Sequence, residues 1–301
     1  MVEHTAVSKQ SSVSWALGRV ESSDGCPIAY GTTGNANGIP VVFLHGFGLD
    51  HRIWETALSG DLLREFRVLA IDLRGHGASG RPATSAAYAD GRLWADDLGA
   101  VVAREGVSRF AAVAWSFGGR MLLDYVEHKG ADRIFAANLI CAASLSDPTL
   151  LGSDHGVLAE LCSVSGPVAQ QAAERFLRDV LRLRSGDAAY HAAHDALSSV
   201  SAEQRQWLRQ RPLQYDALID DLRIPVLVSH GMCDSVVLPD HALRLRKRLR
   251  NVSVSRYDGE GHAPFLGDPA RFARELSAFI RRHKDSARAT DLTPSSAVSD
   301  G

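Results

Sequence analysis

The amino-acid sequence predicts an α/β fold in which a mostly parallel central sheet is flanked by helices. Short, almost purely apolar runs alternate with segments whose apolar residues recur at helical spacing. Unbroken apolar runs are typical of parallel strands, because helices cover both faces of such a sheet. The alternation stops near Ser144 and resumes near residue 223. We therefore expect a helical insertion after the sixth strand.

The composition is that of an ordinary globular protein. The 301 residues are 45% apolar and 23% charged, which suffices for a sizeable core in one large or two ordinary domains. A formal net charge of −2 gives no overall attraction to nucleic acid or to an anionic membrane. The four cysteines lack Cys-x-x-Cys spacing, which favours free thiols in a reducing compartment.

Neither a signal peptide nor a membrane span is predicted. The first residues are too polar for a secretory signal, and no apolar run approaches the roughly 20 residues that cross a bilayer. We therefore expect a soluble, cytoplasmic protein without a nucleic-acid or membrane partner. The sequence predicts no cofactor and no metal, and it leaves the oligomeric state open.

The first half of the predicted sheet begins with a hairpin. Residues 15–20 and 27–30 flank Ser23-Asp24-Gly25, a sequence that favours a tight turn. An apolar, β-rich run at 41–44 is bounded by Pro40 and Gly46 and is predicted to be a buried strand. Further along, the same patterns predict a helix at 51–58, a strand at 67–71 and a helix at 89–104.

The second half of the sheet is interrupted by the insertion. Before it, the patterns predict a strand at 110–115, a helix at 117–129 and a strand at 134–143. Inside it, helical patterns lie at 157–162, 168–183, 188–197 and 202–209. After it, strands are predicted at 225–229 and 252–257, and helices at 240–250 and 269–283.

These elements divide the chain into four parts. Residues 14–143 and 223–283 together form the predicted α/β core. Residues 144–222 form the predicted helical insertion. Residues 1–13 are predicted to be a disordered arm, and residues 284–301, rich in serine, aspartate, threonine and alanine, a disordered tail.

Two polar clusters invite functional interpretations that the sequence disfavours. The basic run at 244–250 is interleaved with leucines, which favours a solvated helix face over a nucleic-acid site. His155, His191 and His194 lie in the insertion, and the last two are three residues apart on a predicted helix, a spacing that two metal ligands can have. No carboxylate or thiol pattern accompanies them, so surface histidines are the preferred interpretation.

A candidate nucleophile stands where the strand at 110–115 ends. The sequence Ala114-Trp115-Ser116-Phe117-Gly118 approximates Gly-x-Ser-x-Gly, with alanine in place of the first glycine. Strand, sharp turn and helix in this order lift a serine hydroxyl clear of the backbone, and the small neighbours let strand and helix pass closely. Taken alone, the pattern also fits a serine that caps a helix.

A serine nucleophile needs a base, and the base needs a group that orients it. His262 follows the last predicted strand in a glycine-containing loop, and Asp234 follows the strand at 225–229. Catalytic groups of open α/β sheets collect at the carboxyl ends of the strands, where Ser116, Asp234 and His262 are all predicted to lie. Asp147, after the strand at 134–143, is the alternative acid.

Acyl transfer also requires donors directed at the developing oxyanion. The backbone N–H of Phe117 is one candidate, because it begins the helix after Ser116. The backbone N–H of Phe47 in His45-Gly46-Phe47-Gly48 is the other. His45 and His76 are expected to fix loop geometry and not to transfer protons.

Taken together, these motifs resemble the α/β-hydrolase fold family over about residues 14–283. The resemblance rests on His45-Gly46-Phe47-Gly48, Asp72-Leu73-Arg74-Gly75-His76-Gly77-Ala78-Ser79, the Ser116 turn with Gly118-Gly119, Asp234 with His230-Gly231, and Gly261-His262. It implies a nucleophile, acid and base at Ser116, Asp234 and His262, and oxyanion donors at Phe47 and Phe117. The Ser116 turn and the Gly-His-Ala-Pro-Phe loop are similar to small-ester esterases and acyl-homoserine lactone lactonases.

The resulting functional hypothesis is a cofactor-independent serine hydrolase of esters or lactones. Serine at position 116 disfavours the family's haloalkane dehalogenase and epoxide hydrolase chemistries. Carbon–carbon bond hydrolysis, perhydrolase activity of the non-haem haloperoxidase type and low-turnover ligand reception stay open. The insertion at 144–222 resembles the helical cap of that family. This cap is expected to cover Ser116 and to form the acyl pocket with Phe47 and either Trp115 or Phe117. Trp207 is expected either to line this pocket or to anchor the cap.

Overall fold

A computed structural model of the chain describes residues 13–58 and 60–285. Most of the predicted N-terminal arm and C-terminal tail lies outside the described residues.

Eight strands form one sheet in the order β1-β2-β4-β3-β5-β6-β7-β8. β2 pairs antiparallel with β1 and β4, and all other pairs are parallel. This confirms the predicted fold class. The bounds are β1 Ala16–Glu21, β2 Pro27–Gly34, β3 Ile39–Leu44, β4 Phe66–Ile71, β5 Phe110–Trp115, β6 Ile134–Ile140, β7 Val226–Gly231 and β8 Val252–Tyr257.

The burial of the strands explains their sequences. Every residue of β5, β6 and β7 is buried, as expected for central strands with helices on both faces. The edge strands β1 and β8 alternate more exposed with less exposed residues. The carboxyl ends of β3, β5, β6, β7 and β8 share one edge of the sheet because these strands run parallel.

Helices cover both the sheet and this edge. The bounds are α1 Gly60–Glu65, α2 Ala86–Ala89, α3 Gly91–Arg104, α4 Gly118–Lys129, α5 His155–Glu160, α6 Gly166–Arg175, α7 Ala188–Ser199, α8 Ala202–Gln210, α9 Asp216–Asp221, α10 Asp240–Arg248, α11 Pro264–Gly267 and α12 Pro269–His283.

The helix predicted at 51–58 is wrong in kind. The chain makes only a short 3₁₀ turn, His51–Trp54, which the Asp50 side chain caps by accepting a hydrogen bond from the Arg52 N–H. Ile53 and Trp54 are buried in this turn, and the Trp54 ring lies 4.6 Å from that of Phe265. Tertiary packing of these side chains overrides the local helical pattern.

The segment between β6 and β7 is helical, as predicted. It contains α5 to α9, a 3₁₀ turn at Pro148–Leu150 and a π turn at Phe176–Val180. The predicted helix at 168–183 therefore ends in a change of helix type, and α9 was not predicted. The division of the chain into core and cap as separate domains stays a prediction.

Within the described ranges, no helix has the length and apolar character needed to cross a membrane. Most of the basic run lies on α10, which ends at Arg248; Leu245 is buried there, and Arg248 pairs with Asp216 and Asp220. His191 and His194 lie on α7, beside the ring of Tyr190.

Candidate active site

Ser116 occupies a strained turn between β5 and α4. Its φ of 50° lies in the left-handed region, which costs a non-glycine residue of order 1 kcal/mol or more. The turn is also crowded. A Cβ placed on Gly118 would lie 2.3 Å from the Leu44 carbonyl oxygen, and one on Gly119 2.7 Å from the Ala142 Cβ. The small residues after Ser116 are therefore required by the close approach of α4 to the neighbouring strands.

The three predicted catalytic side chains form one hydrogen-bonded row. His262 Nε2 lies 2.8 Å from Ser116 Oγ, and His262 Nδ1 lies 2.8 Å from Asp234 Oδ2. All three residues are buried. The indole N–H of Trp115 donates to the His262 carbonyl oxygen over 2.7 Å, which fixes the backbone of the histidine loop beside the serine turn.

Asp234 is held in place on its second oxygen. Its Oδ1 accepts hydrogen bonds from the backbone N–H groups of Val236 and Val237, at 2.9 and 3.1 Å. Burial alone would raise the pKa of Asp234, but the charge interaction with His262 and the hydrogen bonds from His262 and His230 hold that pKa below its usual range. The carboxylate is therefore ionised at neutral pH and keeps a fixed orientation toward His262.

The alternative acid, Asp147, does not reach this row. Its carboxylate caps the turn at Pro148–Leu150 by accepting hydrogen bonds from the Thr149 N–H and hydroxyl at 2.9 and 2.6 Å. It also lies 3.5 Å from Arg244.

Both candidate oxyanion donors belong to residues that line the cavity at Ser116. Phe47 follows β3, Phe117 is the N-cap residue of α4, and their rings lie 6.1 Å apart. Across the described residues, the backbone N–H groups of Phe47 and Phe117 donate to no protein acceptor. Both donors are therefore free for a ligand atom, although their role as an oxyanion hole stays a prediction.

Two buried histidines support the loops around Phe47. His45 Nε2 accepts from the Leu73 N–H, and His76 Nε2 accepts from the Gly48 N–H, each at 3.1 Å. Burial lowers the pKa of His45 to about 4 and that of His76 to about 3, so both are neutral at pH 7. Neutral, hydrogen-bonded rings are suited to fixing loop geometry.

A cavity of about 60 Å³ opens above Ser116. Five lining residues come from the segment between β6 and β7, which therefore covers the serine: Ala143, His155, Leu158, Leu208 and Arg209. Phe117 lines it and Trp115 does not. The lining residues are Phe47, Ser116, Phe117, Arg120, Ala143, His155, Leu158, Leu208, Arg209, Val236 and Val237.

Two polar residues of this wall, Arg120 and Arg209, were not singled out from the sequence, and a third, His155, was interpreted only as a surface histidine. A signal existed only for Arg120, which lies four residues after Ser116 and hence on the same side of the turn and helix. His155 and Arg209 come from α5 and α8, and their arrival at the cavity depends on how these helices pack.

Comparisons with known proteins agree with this architecture. The family model of the alpha/beta hydrolase fold matches residues 39–269. A solved esterase, RhEst1 from Rhodococcus sp. ECU1013, is 33% identical with a TM-score of 0.83, covering 89% of this chain and 99% of that chain.

Two further relatives are similar over most of their length. A non-heme chloroperoxidase from Streptomyces lividans is 28% identical, covering 88% of this chain and all of the relative. A pimeloyl-[acyl-carrier protein] methyl ester esterase from Aromatoleum aromaticum is 29% identical, covering 80% of this chain and 98% of the relative. Because the family model matches most of the chain, the chain belongs to the α/β-hydrolase fold family.

Proposed function

We propose that this protein is a serine hydrolase that cleaves a carboxylic ester or lactone through an acyl-enzyme intermediate. The hydrogen-bonded row of Ser116, His262 and Asp234, with Ser116 opening into the cavity, is the observation that carries the proposal. The esterases among the relatives support an ester substrate.

Each residue of the row has a distinct task. Ser116 Oγ attacks the ester carbonyl carbon while His262 Nε2 takes the hydroxyl proton. The Asp234 carboxylate accepts a hydrogen bond from the His262 Nδ1–H and stabilises the imidazolium that forms. The N–H groups of Phe47 and Phe117 hold the oxyanion. His262 gives its proton to the leaving alcohol, and then activates water to hydrolyse the acyl-enzyme.

Covalent labelling tests the nucleophile directly. A serine-directed fluorophosphonate is expected to modify Ser116 alone, and 4-nitrophenyl esters of short acids are expected to release a burst of nitrophenol equal to the enzyme concentration. Peptide mapping and stopped-flow absorbance measure the two results. Modification at another serine, or tight ester binding without turnover, would contradict the proposal.

A perhydrolase activity is the second candidate, because a similar protein is a non-heme chloroperoxidase. In that reaction hydrogen peroxide replaces water as the nucleophile toward the acyl-enzyme, and the released peroxy acid oxidises a halide. Ester hydrolysis measured with and without peroxide, alongside bromination of a dye in acetate buffer, distinguishes the two activities.

The cavity wall predicts that Leu208 and Trp207 have different roles. Leu208 lines the cavity, whereas the Trp207 ring lies 5.6 Å from the buried ring of Tyr88 and outside the cavity. Leu208→Ala is expected to shift the preferred acyl length upward, because truncating a lining side chain enlarges the cavity. Trp207→Ala is expected to lower the melting temperature by several degrees, because it removes aromatic packing.

Values of kcat/KM for esters of two to ten carbons, together with melting curves, measure both effects. A changed chain-length profile in Trp207→Ala at unchanged stability would exchange the two roles.

A further inference from the structure

The wall of the active-site cavity is rich in nitrogen donors and poor in acids. Arg120, His155 and Arg209 contribute to it, and none of its lining residues is an aspartate or a glutamate. The rest of the lining is apolar apart from Ser116. The cavity that contains the candidate nucleophile is therefore positively charged.

Arg120 has no carboxylate partner in the described part of the chain. Its Nε is buried without a hydrogen-bond acceptor, and its Nη1 donates only to the Arg211 carbonyl oxygen, at 3.3 Å. The guanidinium lies 5.5 Å from the centre of the Phe117 ring. Burial is the main cause that lowers the pKa of Arg120, to about 10, so the side chain is still protonated at neutral pH.

Asp124, which lies on α4 with Arg120, already has its negative charge compensated by Arg211. Asp124 accepts hydrogen bonds from Arg211 at 2.7 and 2.8 Å and from the Tyr215 hydroxyl at 2.8 Å. One negative charge therefore faces the Arg211 cation, and the positive charge of Arg120 is left without a counterion. A buried, unpaired guanidinium is costly, and such groups normally bind a carboxylate or a phosphate.

His155 and Arg209 extend the same surface. The Nδ1 of His155 is buried without a partner. Burial, followed by the positive charges of Arg209 and Arg120, lowers the pKa of His155, so a neutral ring can donate one hydrogen bond. Arg209 forms no ion pair with any described residue. Arg120 and His155 thus bring unsatisfied buried nitrogens to the wall of one cavity, and Arg209 brings to it a guanidinium that has no carboxylate partner among the described residues.

We infer that the substrate of this site carries a carboxylate, which Arg120 and Arg209 bind while its ester group lies at Ser116. This inference rests on the proposed ester hydrolysis and narrows it to anionic esters, such as the monoester of a short dicarboxylic acid. Ser116 takes the acyl group of the monoester and releases the alcohol. Water then converts the acyl-enzyme into the free dicarboxylate and regenerates the serine.

A matched pair of substrates tests the inference. Methyl hydrogen glutarate carries a carboxylate, and methyl glutaramate carries a neutral amide of nearly the same shape. We expect wild-type protein to prefer the carboxylate by roughly 10-fold or more in kcat/KM, the range of a charge-assisted hydrogen bond. A second pair, the acetyl esters of 3-hydroxybutanoate and its amide, places the carboxylate on the alcohol side instead.

Three variants test which side chains cause the preference for the carboxylate substrate. Arg120→Gln and Arg209→Gln are each expected to reduce the carboxylate-to-amide ratio by roughly 10-fold. Arg246→Gln removes the same charge from the exposed face of α10, outside the cavity, and is expected to keep the wild-type ratio. If Arg120→Gln fails to fold, Arg209→Gln carries the test, because Arg209 lies near the end of α8 and is only half-buried.

The outcomes separate this inference from the proposed function. The inference is supported if wild-type protein prefers the carboxylate in either pair and the Arg120 or Arg209 variant loses this preference. Hydrolysis of both amides at rates equal to or above those of the acids would overturn the inference and leave the serine hydrolase intact. A folded protein that hydrolyses no ester of either pair and no nitrophenyl ester would overturn both.

Discussion

Ser116→Ala is expected to reduce kcat/KM for the best ester by roughly 10⁴-fold or more, and to leave the fold intact. The substitution removes the hydroxyl that lies 2.8 Å from His262 Nε2 and keeps the Cβ, so it adds no strain to a turn whose φ is already 50°. Initial rates on nitrophenyl esters and a melting curve measure the two parts of the result.

A serine outside the cavity provides the control. Ser255 lies on the edge strand β8, where its hydroxyl donates to Glu275. Ser255→Ala deletes the same atom and is expected to keep ester hydrolysis within about 2-fold of wild type. An active Ser116→Ala protein, once contamination by wild type is excluded by mass spectrometry, would remove Ser116 from the proposed mechanism.

The fold and the positions of the three triad candidates could be predicted because they depend on local signals. Apolar runs indicated the strands, and each candidate follows the end of a run. Since β5, β7 and β8 are parallel members of one sheet, the loops after them emerge at one edge. Ser116, Asp234 and His262 come within reach of one another because β5, β6, β7 and β8 are also consecutive in the sheet, an order that the apolar runs alone do not specify.

The walls of the site could not be predicted in the same way. His155 and Arg209 reach the cavity only through the packing of α5 and α8 on the sheet edge, a long-range arrangement that helical periodicity does not specify. The neighbours Trp207 and Leu208 illustrate the limit, because both are apolar residues of one helix. Burial against Tyr88 separates the first from the cavity, and only the tertiary structure contains that contact.

Long-range contacts also explain why the local sequence pattern wrongly predicted a helix at 51–58, where the chain forms the 3₁₀ turn His51–Trp54. Its start is tied by the Asp72 carboxylate, which accepts from the His51 N–H at 2.9 Å and from the His51 ring at 2.8 Å. These contacts join residues 21 positions apart in the sequence, so a window of neighbouring residues carries no trace of them.

The hydrogen bond from His262 to Asp234 gives a second prediction with a large expected effect. Asp234→Asn is expected to lower kcat by roughly 10⁴-fold while ester binding and folding change little. The reason lies in the hydrogen bonds of the side chain. Oδ1 accepts from the N–H groups of Val236 and Val237, so an asparagine keeps its carbonyl oxygen there and turns its NH₂ group toward His262. A donor facing Nδ1 forces the proton onto Nε2, and the ring can then no longer accept the Ser116 proton.

Asp147→Asn is the matched control, because it makes the same change in the residue that was the alternative acid. Its carboxylate caps an exposed turn and pairs with Arg244, so kcat is expected to stay within about 2-fold of wild type. Steady-state kinetics of both variants, with proton NMR of the His262 ring to report its tautomer, provide the measurement. A large loss of kcat in Asp147→Asn and none in Asp234→Asn would assign the orienting acid to the loop after β6. Equal and small losses in both would mean that His262 acts without a carboxylate partner, which its 2.8 Å contact with Asp234 argues against.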